Sequence, residues 1–171
     1  MPLSQSQAKV HIALQSNEGR DMNKHILELF QSELQHTLQE VNVIDNIVIS
    51  SLDGIAKAHA SRNNQAVDTI AARSASFLSL GDIWEDTSGN LNCDNVIMES
   101  KTGTVVVIHM GPKLLLCMTT TSTATTGLIL HHAKACSNRL LKITQSVVQL
   151  RNKTPSEDSI SSDNIANIAT A

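Results

Sequence analysis

Apolar residues recur along the chain with two different periods, and the switches between them lay out the elements. From Asn23 to Glu40, Leu27, Phe30, Leu34, Leu38 and Val41 fall at spacings of 3, 4, 4 and 3. That is the spacing of one helix face and predicts an amphipathic helix. "NVIDNIVISS" (42–51) then reads as a strand, Asp53-Gly54 as a turn, and "IAKAHAS" (55–61) as the returning strand. A second helix is expected from Asn64, an N-cap residue with Asp68 in the first turn, to Trp84. Its stripe is Val67, Ile70, Ala71, Ser74, Phe77, Leu78, Gly81 and Trp84, with an unusually small middle in "IAARSASF".

Three extended runs follow, "DNVIMES", "TVVVIHM" and "LLLCMTTT", joined by the Gly-containing connections "KTG" and "GPK". They predict a three-stranded meander. The last helix opens after "TTTSTATT", with Thr125 or Thr126 as its cap, and carries Leu128, His132, Cys136, Leu140, Ile143, Val147 and Leu150. Basic Arg139, Lys142, Arg151 and Lys153 toward its end suit the helix dipole.

The element order is therefore αββαβββα. "NIVIS", "TVVVIHM" and "LLLCM" are apolar on both strand faces, so those strands need cover on both sides and belong in the centre. Lys57, His59, Asp94 and Glu99 mark the second and third strands as edges. The hairpins then give the order 2-1-5-4-3. An α/β (α+β) fold with a three-layer α/β/α arrangement follows, the second helix on one face of a mainly antiparallel sheet and the first and third on the other.

Composition narrows the function more than it specifies it. The 171 residues suit one domain over 23–151, with a polar segment at 1–22 and a Ser/Asp/Asn-rich tail at 152–171, both expected to be mobile. A net charge of −3 and 2% aromatic residues argue against a nucleic-acid partner, since neither a basic patch nor stacking platforms are provided. Three widely spaced cysteines fit a reducing compartment. The absence of a signal-like leader or a bilayer-length apolar run predicts a cytoplasmic protein without membrane insertion.

The chemistry-bearing residues form no recognisable catalytic set. No CxxC, HxH or HExxH spacing supports a metal, and His131 and His132 point to different helix faces. His132 reads as a packing residue and His109 as a strand residue near a turn. No Ser or Cys sits in a nucleophile motif, "KTGT" at 101–104 is a hairpin turn, and neither phosphate-loop pattern occurs. Glu85 and Asp86 solvate a helix end. No catalytic residue, cofactor or metal site is expected, and no enzyme activity. The notable features are the second helix and the third strand. The small-residue stripe of the helix either marks close packing on its own sheet, or Val67, Ile70, Ala71, Ser74, Ala75 and Leu78 span two adjacent helix faces, one for the sheet and one available to a second subunit. Val96, Ile97 and Met98 lie on an edge strand able to pair with its symmetry mate.

On "IVISSLDGIAKA", with Asp53, Gly54 and Ala58, on "AVDTIAARSASFLSLG" and on "TTGLIL", residues 44–145 resemble a Roadblock/LC7 domain, the family of dynein light chains and prokaryotic MglB-like GTPase regulators. The resemblance implies a non-enzymatic homodimer joined through the third strand and second helix, serving as a regulator or scaffold for a small Ras-like GTPase. Arg73 on the second helix is a candidate contact to such a partner, the other reading being a solvated arginine. The "TTTSTATT" segment departs from the acidic, Asn-containing linker of the family. A profilin-like sensory domain that binds a small ligand without a GTPase partner is the alternative.

Overall fold

The computed structural model describes residues 24–63, 66–88, 93–121 and 126–153. The segment 1–22, the tail from residue 154, the Asn64 and Thr125 caps and the side chains of Glu85 and Asp86 lie outside the described residues. The elements are α1 (24–40), β1 (Asn46–Ser51), β2 (Ala56–Ser61), α2 (Val67–Ser88), β3 (Asn95–Ser100), β4 (Gly103–Met110), β5 (Leu114–Thr120) and α3 (Thr126–Lys153). All pairings in the five-stranded sheet are antiparallel, in the order β2-β1-β5-β4-β3. The expected αββαβββα order and sheet order both hold.

Two cores flank the sheet. Phe30, Leu34 and Leu38 from α1 and Ile129, Ala133, Cys136 and Leu140 from α3 pack with Ile47, Ile49, Ala58, Ala60, Val106, Ile108, Leu116 and Met118. On the other face a smaller cluster joins Leu78 of α2 to Val107, Leu115 and Cys117. Alternation along β4 and β5 feeds both, as period-2 geometry requires of central strands.

Polar contacts hold α1 in place. Gln31 donates from Nε2 to the His59 carbonyl at 2.6 Å and accepts from the His59 amide at 3.2 Å. Its amide thereby occupies a peptide position along the β2 edge. Arg62, just after β2, donates from Nε to the Ile44 carbonyl at 2.9 Å and from Nη2 to that of Leu38. A guanidinium thus meets carbonyls at the negative end of α1. Between α1 and α3, Arg139 pairs with Glu33 and donates to Thr37 Oγ1 at 2.9 Å.

Three local readings change. The β1–β2 turn is Ser51–Gly54, closed by the Gly54 amide on the Ser51 carbonyl at 2.9 Å, so Leu52 and Asp53 are its central residues. Gly54 follows at φ +82°, Ile55 stays outside the strand, and the ladder shifts register between Ile49 and Ser50. One extra residue has been absorbed at the base of the hairpin, which a two-residue turn would not do. The buried face of α3 begins at Ile129 rather than Leu128, which is exposed, and His132 is half-buried beside it. On α2, Trp84 leaves the buried stripe. Each i+3 step falls about 60° short of a full turn, so two steps from Leu78 carry Trp84 about 120° off the sheet-facing line.

Candidate protein-interaction face

Helix α2 is closely approached on both flanks, by the backbone of the β1–β2 turn on one and by side chains of Cys93 and Val96 on the other, and the small residues of its sequence are placed to permit it. On one flank the β1–β2 turn sits so close that a β-carbon on Gly54 would lie 2.9 Å from the Ala72 Cα and 3.5 Å from the Ala75 Cβ. On the other, a β-carbon on Gly81 would lie 2.3 Å from Cys93 Sγ and 3.0 Å from Val96 Cγ2. These contacts orient the helix: Ala72 and Ala75 face the hairpin, and Gly81 faces the start of β3. At about 100° per residue, Arg73, Phe77, Leu80 and Trp84 then fall in one row along the β3 flank, outward of Gly81.

The residues marked out in the sequence divide accordingly. Ala71, Ser74 and Leu78 are 0%, 2% and 1% exposed and are consumed in packing on the sheet. Ser74 returns its hydroxyl to the Ile70 carbonyl at 2.7 Å, which keeps a polar atom satisfied under the helix. Val67, Ile70, Ala75 and Val96 are half-buried, Arg73 is exposed, and Ile97 and Met98 stand exposed on β3. Strand β3 pairs with β4 alone, so among the described residues its outer edge is unpaired.

Sequence reasoning did not assign Leu80, Ile83 and Trp84 to a surface. They are 59%, 56% and 69% exposed, Leu80 and Trp84 within this row and Ile83 outside it, turned away from the sheet. The signal was present in the helical phase: counted in steps of 100° from Leu78, all three lie well away from the sheet. Where α2 diverges from β3, toward the start of the helix, a groove of about 510 Å³ opens. Ile70, Phe77, Val105 and Met98 give it apolar walls, and Arg73, Ser100 and Thr102 stand around it.

No catalytic constellation accompanies this face. Among the described residues no group of three or more His, Cys, Asp or Glu is placed to hold a metal ion. His109 Nε2 lies 3.3 Å from Asp82 Oδ1, tying β4 to α2, and the His131 and His132 rings meet edge-on. Burial pushes the Cys117 thiol up to about 11, with a hydrogen bond to Ser74 acting in the opposite direction, and burial also raises that of Cys136. Both thiols should remain protonated and inaccessible in the native protein, whereas Cys93 is half-buried. Brief alkylation at mildly alkaline pH followed by mass spectrometry is expected to label Cys93 well before Cys117 or Cys136. Denaturation should abolish the difference, and equal labelling in the folded state would contradict this packing.

Residues 30–120, more than half of the chain, match the family model of the Roadblock/LC7 domain. The chain belongs to the Roadblock/LC7 family. Solved structures agree at the level of fold. An "MglB with tetrameric arrangement" and the gliding protein MglB from Thermus thermophilus each share 20% identity with the chain. Each superposes at a TM-score of 0.63 over 71% of this chain and 92% of its own. Schizosaccharomyces pombe profilin, 14% identical, superposes at 0.51 over 67% of this chain and 98% of its own, which places the Roadblock domain in a profilin-like architecture. No curated protein matches the sequence at a significant level. The Roadblock/LC7 family is of the regulatory, GTPase-regulator kind, and no helix among the described residues of this Roadblock domain is long and apolar enough to cross a membrane.

Proposed function

We propose that this Roadblock domain works as a non-enzymatic cytoplasmic homodimer that binds a small Ras-like GTPase and modulates its activity or placement. The observation that carries the reading is the set of exposed apolar residues formed by Leu80 and Trp84 on α2, Met98 on the same face of β3 and Ile97 on its other face, along a strand whose outer edge is unpaired among the described residues. An edge strand flanked by exposed apolar side chains is a liability for a lone subunit and an asset in a pair. Pairing of two β3 edges across a two-fold axis would continue the sheet and bring the two α2 helices side by side. Family membership and the tetrameric arrangement named for one MglB support self-association, and the regulator character of the family supports the GTPase partner.

Light scattering coupled to gel filtration tests the pair. Wild type is expected at twice the subunit mass, and Ile97→Lys, which puts a charge in the middle of the exposed edge, at or near the single mass. A variant that keeps the wild-type mass would remove β3 from the interface. Affinity capture of purified Ras-like GTPases loaded with GDP or a non-hydrolysable GTP analogue tests the second half. Retention in one nucleotide state is expected, and no retention in either state by the intact dimer would refute the regulator role.

A further inference from the structure

The groove beside α2 and the apolar knob on the same helix lie on one flank, at opposite ends. Gly81 stands beside Val96 at the start of β3, while Ile70 and Arg73 stand across the groove from Met98 and Ser100 at its end. Helix and strand are therefore antiparallel, touching where Trp84 projects and parted where the groove opens. A surface with a knob at one end and a matching recess at the other is complementary to itself under two-fold rotation.

The register can be followed residue by residue. Opposed residues of an antiparallel ladder share a face, so a two-fold axis at the middle of the exposed edge passes opposite Ile97 or Met98, about 3–7 Å along β3 from Val96 at roughly 3.3 Å per residue. On α2, at about 1.5 Å per residue, that distance is about two to four residues back from Gly81, between Phe77 and Ser79. Positions related by the axis then sum to about 154–158, so Trp84 of one copy falls near residues 70–74 of the other, level with Ile70 and Arg73.

We propose that Trp84 is the anchor of this self-association: in a pair joined by their β3 edges, the partner's Trp84 fills the groove between α2 and the β3–β4 turn and lies against Arg73, Ile70 and Phe77. The inference rests on the homodimer reading and assigns the groove to a second copy. Three observations favour that occupant. Trp84 is 69% exposed in the single subunit, although a large aromatic side chain gains most from burial. The groove, at about 510 Å³, has room for an indole ring. Among the described residues Arg73 makes no ion pair, which leaves its guanidinium available to the face of a tryptophan. Tryptophan and arginine are the side chains that most often dominate such interfaces. Placing Arg73 beneath the partner's Trp84 removes it from the GTPase-facing surface.

Trp84 is the chain's single tryptophan, so the intact protein reports on this contact without a label. At concentrations where light scattering shows the pair, its emission is expected to be blue-shifted and protected from iodide quenching. Dilution, or the Ile97→Lys substitution, should shift it to the red and open it to the quencher. Trp84→Ala, on an exposed position that leaves the fold intact, should raise the dimer dissociation constant by at least about tenfold. Arg73→Ala should weaken the pair and reduce the blue shift. If wild type pairs while Trp84 emits as an exposed indole and Trp84→Ala keeps the dimer mass, the groove belongs to another occupant and the inference is overturned, with the homodimer intact. If wild type is a single subunit at every concentration, the homodimer reading itself fails, and the inference with it.

Discussion

Gly54→Ala should lower the unfolding free energy by about 2–5 kcal/mol, combining the strain of a side chain at positive φ with overpacking against a rigid neighbour. Gly54 has φ +82°, and its missing β-carbon would sit 2.9 Å from the α-carbon of Ala72, a backbone atom that no rotamer change can move. The turn must lift from α2 or the helix must shift on the sheet. Urea unfolding checks this: the midpoint should fall with the slope unchanged, since the surface exposed on unfolding is the same. Adding Ala75→Gly removes the more distant of the two neighbours and should restore little of the loss. Full restoration would show that side-chain crowding, not backbone approach, sets the cost.

Phe30→Ala should cost about 3–5 kcal/mol, the usual penalty for emptying a buried aromatic site. Phe30 is 2% exposed and shares a core with Leu34, Leu38 and the small Ala58 and Ala60 of β2. Those alanines make β2 a shallow floor over which α1 lies close enough for Gln31 to bond the His59 backbone on both its donor and acceptor. Truncation of Phe30 removes the principal apolar weight of α1 at that point. The urea midpoint should drop, and amide exchange should rise at His59, whose amide donates to Gln31 Oε1. A midpoint shift without faster exchange at His59 would separate the two contacts and contradict the docking of α1 as described.

The regularities that were legible in the sequence are those set by period and by local sterics. The spacing of Leu27, Phe30, Leu34 and Leu38 and the two-sided apolarity of Val105–Ile108 and Leu114–Met118 follow directly from the geometry of a helix and of a covered strand. Charges at Lys57, His59 and Glu99 marked the sheet edges, and short Gly-containing connections gave the hairpins. Phase errors arose where a run was apolar all round. "GLILHH" offers Leu128, Ile129 and Leu130 to three directions, and only the position of the sheet selects Ile129. In the same way "IAARSASF" announced a close approach without saying to what.

The sequence by itself determined the element order, the sheet order, the covering of both faces and membership of a family with those features, because hydrophobic period and turn chemistry are properties of neighbouring residues. Tertiary structure alone decided that the small residues of α2 serve the Gly54 turn on one flank, with Gly81 admitting Cys93 and Val96 on the other. It also separated Ala71, Ser74 and Leu78, sealed beneath the helix, from Leu80, Ile83 and Trp84, left in the open. The physical reason is that a helix rotation of about 100° per residue distributes one stretch of sequence around every direction. Which of those directions is core and which is surface is set by neighbours distant in the chain, here the hairpin, the start of β3 and the groove between them.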